Sequence, residues 1–109
     1  MKKALLPLLS TFVEEPAIAE ILPIFLQNLP SYLRRIEDAI AVGDLDVAAR
    51  TCHDLKGAAG GYGYPSISAL ASTIEVSMRV GDFGGKVKEQ LELLRELCQR
   101  AAKGLESLG

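Results

Sequence analysis

The chain has 109 residues, 12 Lys plus Arg against 14 Asp plus Glu, one His and a formal charge of -2. With 49% apolar and 24% charged residues, it has the balance of one soluble globular domain, 1–109, and no room for a second core. That charge leaves no basic surface for nucleic acid, and the lack of Trp with only 6% aromatics leaves little to stack bases on.

Met1-Lys2-Lys3 and the apolar residues up to Leu9 resemble the start of a secretory signal, but Pro7, Ser10 and Thr11 interrupt the stretch. Glu14 and Glu15 then separate it from the small residues at 17–19, whereas a signal places its cleavage site directly after the apolar core. A cytoplasmic protein is therefore expected. No run reaches the roughly 18 apolar residues of a membrane span. Leu5, Leu6, Leu9, Phe12 and Val13 predict a short amphipathic helix over about 3–13.

Apolar spacings of 3 and 4 continue along the chain and no segment alternates with period 2, so the fold class is all-α. Ile18, Leu22, Phe25, Leu29, Leu33, Ile36 and Ile40 predict a helix over about 16–42. Pro23 and Pro30 interrupt its backbone ladder, and a kink or a break into two helices is expected near Pro30. Gly43-Asp44 reads as a stop followed by a new N-cap.

The next helix, about 45–61, carries Leu45, Ala48, Cys52, Leu55, Ala59 and Tyr62 on one stripe. Gly63-Tyr64-Pro65 ends it, and Ser66 is placed to cap a helix with Ile67, Leu70, Ile74 and Met78 on its stripe. Gly81-Asp82-Phe83-Gly84-Gly85 reads as a loop. Its Asp-Phe-Gly matches a kinase tripeptide, without that fold's other motifs or length. Val87, Leu91, Leu94, Cys98, Ala101, Leu105 and Leu108 define the last helix. Short connections between long amphipathic helices predict an antiparallel four-helix bundle with a short extra N-terminal helix. Cys52 and Cys98 fall on apolar stripes and are expected to be buried thiols in a reducing cytosol.

One His and two Cys cannot assemble a zinc site, and no second His is available for metal hydrolysis. The single His53 has a different use. At about 100° per residue the stripe of its helix centres about 130° away from it, so His53 points to solvent. Ala49, Arg50, Lys56, Gly57 and Gly60 lie within about 60° of it. A glycine costs a helix interior roughly 1 kcal/mol relative to Ala. Gly60 and Gly61 lie near the helix end, where fraying toward the C-cap is an alternative explanation to a functional one. Gly57 does not, and its physical use is to let another surface approach the imidazole. Imidazole keeps a nucleophilic ring nitrogen at physiological pH, and a neighbouring lysine can meet an anion. The pattern suggests a phosphoryl acceptor.

The stretch His53-Asp54-Leu55-Lys56-Gly57-Ala58-Ala59-Gly60-Gly61-Tyr62-Gly63 resembles the signature of histidine-containing phosphotransfer (HPt) domains. The resemblance covers about residues 15–106 in layout. It departs from the family's commonest pattern after Gly63, where Tyr64-Pro65 replace the usual small or aliphatic residue. It implies a bundle whose histidine takes a phosphoryl group from a receiver-domain aspartate or a kinase and passes it to another receiver. On that reading His53 is the phosphoacceptor, Lys56 the stabilising charge and Gly57 the clearance position. Glu75, 22 positions after the histidine, is where the family often places the residue that bonds the ring's other nitrogen. Receiver docking falls on Ala49, Arg50, Gly57 and Gly60.

The implied partners are the receiver domain of a response regulator, a hybrid histidine kinase, or both. No nucleic acid or membrane is implied, and the chain is expected to be a monomer. No cofactor of its own is expected: Gly81 to Lys86 match a nucleotide-binding loop only loosely, and magnesium would belong to the receiver. Two other readings stand beside this one. One is a helical scaffold or inhibitor module that keeps the fold without relaying phosphate. The other is a phosphotransfer domain from a larger hybrid or chemotaxis-type kinase.

Overall fold

The computed structural model describes residues 6–12, 14–81 and 85–108. Within them every regular element is an α-helix: α1 (Pro16–Ala41), α2 (Leu45–Gly61), α3 (Pro65–Arg79) and α4 (Gly85–Leu108). The Asp82-Phe83-Gly84 loop, Leu5 and Val13, and the side chains of Leu105 and Leu108 lie outside the described residues.

α1 is one helix, with Pro16 in its first turn and Pro23 and Pro30 inside it. The break expected at Pro30 does not occur. An interior proline costs a helix about 3 kcal/mol, but burying one large apolar side chain contributes about 1.5–3 kcal/mol. α1 buries Leu22, Phe25, Leu26, Leu29, Leu33 and Ile36, so tertiary packing carries the helix through both prolines. Gly43 turns the chain with φ 76°, and the Asp44 carboxylate accepts the Val47 N–H at 3.3 Å to cap α2 as expected.

α2 packs on α3 most extensively. α1 lies against α2, α3 against α4, and α4 closes the ring on α1. Neighbours run antiparallel. His53 meets Glu75 while Lys56, further along α2, meets Ser68 earlier on α3. Glu37 of α1 receives Arg95 of α4, and Phe25 stacks on Tyr62 with ring centroids 4.6 Å apart. The core joins Leu29, Ile36, Cys52, Leu55, Ile67, Ile74 and Leu94 from all four helices. Both cysteines are buried and unpaired, and burial pushes each thiol up to about 12. Tyr64, at the departure from the family pattern, turns inward to 3% exposure and packs its ring on Phe25. Pro65 then opens α3 with Tyr64 as the N-cap, so Ser66 lies inside the first turn and caps nothing.

The expected N-terminal helix is absent over 6–12. Pro7 has no N–H to give, and the backbone there is committed to other elements. Leu8 donates to the Arg100 carbonyl and Thr11 to that of Gly63, while Arg100 Nε donates to the Leu6 carbonyl. The Ser10 hydroxyl donates to the Tyr62 carbonyl at the end of α2 and accepts from the Phe12 N–H. This strap requires two glycines. A Cβ on Gly63 (φ 85°) would strike Ser10 and come within 2.8 Å of Phe12, and one on Gly104 would strike the Leu8 carbonyl.

Candidate functional site

The core face of α2 decides where His53 points. Cys52 and Leu55 are fully buried, and the imidazole between them in sequence faces outward with 60% of its side chain exposed. Across the α2–α3 interface, His53 Nδ1 lies 3.3 Å from Glu75 Oε1, a long hydrogen bond. The other carboxylate oxygen, Oε2, accepts from Arg79 Nε at 2.9 Å. Glu75 is nearly buried, its side chain 12% exposed. Burial opposes its charge, but hydrogen bonds from Arg79 and His53, and the positive charge of the Arg79 guanidinium, outweigh that and hold the carboxyl below its usual range.

An ionised carboxylate only accepts hydrogen bonds. Nδ1 must therefore carry the proton in this pair, which places the lone pair of the neutral ring on Nε2. Cys52, next in sequence, is no rival nucleophile. Burial and the Glu75 charge raise its thiol to about 12, and the thiolate is the reactive form.

The surroundings of His53 divide into open and committed positions. A Cβ built on Gly57 or on Gly61 meets nothing within 4 Å, so no neighbour in the fold demands a glycine there. Gly60 differs, because its Cβ would sit 3.4 Å from Ser68 Oγ. That hydroxyl donates to the Lys56 carbonyl at 2.8 Å and ties α2 to α3 below the histidine. Lys56 is half-buried, and no carboxylate among the described residues pairs with it. Arg50 is exposed but engaged, donating to Asp46 at 2.9 Å.

Ala49 requires a correction. It was expected on the docking face, yet it is 1% exposed. It lines a recess of about 300 Å³ with Leu45, Asp46, Met78 and Arg79. The wheel angle of Ala49 is close to that of His53, but α3 packs against that flank of α2 and covers it. Arg79 went unnoticed in the sequence. Its signal was its position one turn after Glu75, which acquires meaning only once Glu75 is known to face α2. A second groove, of about 420 Å³ between α1 and α4, is lined by Leu26, Pro30, Arg34, Arg95 and Cys98 among others and includes none of these site residues. Among the described residues no three His, Cys, Asp or Glu side chains converge on a point.

The Hpt domain family model matches residues 20–108, and the chain belongs to the Hpt domain family. Hpt domains are helical bundles that carry phosphoryl groups in two-component phosphorelays, exchanging them with receiver domains of response regulators. No curated protein and no solved structure gave a match. No helix among the described residues is long and apolar enough to cross a membrane.

Proposed function

We propose that this Hpt domain relays phosphate through His53. Nε2 attacks the phosphorus of a receiver's aspartyl phosphate in line. The N–P bond forms as the P–O bond to the aspartate breaks, and the aspartate leaves as a carboxylate. The reverse step delivers the group to a second receiver. The observation that carries this reading is the outward imidazole whose Nδ1 faces Glu75 at 3.3 Å.

The surrounding residues fit the same job. Gly57, with open space where a Cβ would be, lets the partner's acidic pocket approach. The Lys56 ammonium offsets charge that spreads over the phosphoryl oxygens in transfer. Docking uses the exposed positions Arg50, Gly57 and Gly60, with Ala49 as part of the wall behind them. The chain supplies position and a nucleophile, and the receiver supplies its own magnesium.

The test is transfer from a receiver carrying labelled phosphate. Acid-labile, base-stable label should appear on the protein and should be lost in His53→Gln. Label that survives that substitution, or no label from any cognate receiver, refutes the reading.

A further inference from the structure

Arg79 occupies the last turn of α3 and has no role in the transfer described above. Its guanidinium is half exposed, yet its Nε–H is directed at the one carboxylate oxygen that His53 does not use. We propose that Arg79 is a positioning residue for phosphoryl transfer: it holds the Glu75 carboxylate in the orientation that fixes the His53 tautomer. The proposal rests on the relay reading of His53.

A glutamate side chain has three rotatable bonds, and one long hydrogen bond to an exposed ring does not hold it in place. The second bond, from Arg79, occupies Oε2 and leaves Oε1 turned to the imidazole Nδ1. The groups around the carboxylate make this division specific. From α2 it is faced by His53 and by the un-ionised thiol of Cys52, and from its own helix by Arg79. Asp46, which lines the adjoining recess, is engaged with Arg50.

Arg79 also answers a charge problem. A phosphoryl group on Nε2 brings negative charge onto a ring whose other nitrogen faces a carboxylate, and the guanidinium offsets that repulsion. The pair joins a half-exposed guanidinium to a nearly buried carboxylate one helical turn away, so losing the arginine leaves that carboxylate with less to offset its burial and costs some stability. A purely structural role therefore predicts a loss of stability with the His53 tautomer and the transfer rate unchanged.

The experiment uses the full chain and compares Arg79→Ala, Arg79→Lys, Glu75→Ala and the Arg79→Ala/Glu75→Ala double variant. Nitrogen NMR reads the His53 tautomer, and single-turnover transfer from a phosphorylated receiver reads the chemical step. Arg79→Ala should lower the share of the Nδ1–H tautomer. It should also slow the saturated transfer rate about tenfold, the lower end of what losing an orienting partner costs. The receiver concentration at half-saturation should stay within about twofold, as expected when only the chemical step is affected. Arg79→Lys should restore most of both readouts, and the double variant should be no slower than Glu75→Ala alone.

A wild-type tautomer and rate in Arg79→Ala would overturn the proposal. So would a loss of rate that persists undiminished in the Glu75→Ala background, since Arg79 would then act without the carboxylate. The relay reading fails separately, by absence of label on His53 in the wild-type chain. In that event the tautomer still decides whether Arg79 positions the ring.

Discussion

Glu75 Oε1 and His53 Nδ1 stand 3.3 Å apart across the α2–α3 interface, one residue nearly buried and the other largely exposed. The contact joins a nearly buried carboxylate to a ring that faces solvent, so the orientation of the ring is set from the interior side. Glu75→Gln keeps a carbonyl oxygen able to accept from Nδ1–H, whereas Glu75→Ala removes the acceptor. Nitrogen NMR should find the Nδ1–H tautomer retained in the first variant and diminished in the second. Equal loss in both would show that charge, not hydrogen bonding, sets the tautomer.

Acid should weaken the fold through the same carboxylate. The folded-state pKa of Glu75 lies below its ordinary value, so folding favours the ionised form. That contribution is fully present above the ordinary carboxylate range and is lost as the pH falls through the lowered value. Urea denaturation should show a plateau toward neutral pH and a decline on acidification, and the decline should be shallower in Glu75→Gln. An identical decline in that variant would assign it to other carboxylates.

Gly57 should show stability and function moving in opposite directions. With nothing within 4 Å of its missing Cβ, Gly57→Ala should stabilise α2 by about 0.5–1 kcal/mol through helix propensity alone. Gly57→Leu should retain the fold but slow receiver-dependent transfer, because the added bulk stands where the partner approaches. Thermal melts and transfer rates measured on the same samples check both halves. A destabilised alanine variant or a fast leucine variant would count against the clearance role.

Gly63 should behave in the opposite way. Its φ of 85° and the proximity of Ser10 and Phe12 leave no room for a side chain. Gly63→Ala should lose about 1–2 kcal/mol to backbone conformation, plus the displacement of the strap, and chemical denaturation reads the sum. Ser10→Ala, which leaves the Tyr62 carbonyl without its donor, should cost about 1 kcal/mol.

Lys56→Ala should slow transfer without unfolding the bundle, because no carboxylate among the described residues pairs with the ammonium. A normal rate in this variant, with circular dichroism unchanged, would remove the lysine from the site.

What the sequence made legible was whatever one helix decides for itself. The stripe through Ala48, Cys52, Leu55 and Ala59 is buried as its spacing requires, and that alone turned His53 outward. Gly43 and Asp44 likewise acted as the stop and cap their chemistry dictates. The relations between helices were harder to read. Ala49 lies on the same side of the wheel as His53, and only the packing of α3 shows that it is covered. The link of Arg79 to the site depends on the α2–α3 register in the same way. Propensity also misled where tertiary contacts overrode it. α1 continues through Pro30 because its apolar face is buried, and 6–12 forsakes its helical spacing for hydrogen bonds to α4 and the end of α2.

The most direct test of the account is the site of the phosphorus–nitrogen bond. Protein with nitrogen-15 in its histidine, phosphorylated by a receiver, should show phosphorus coupled to Nε2 of His53 while Nδ1 keeps its proton toward Glu75. Phosphorus coupled to Nδ1, or base-labile phosphate carried on a carboxylate, would contradict it.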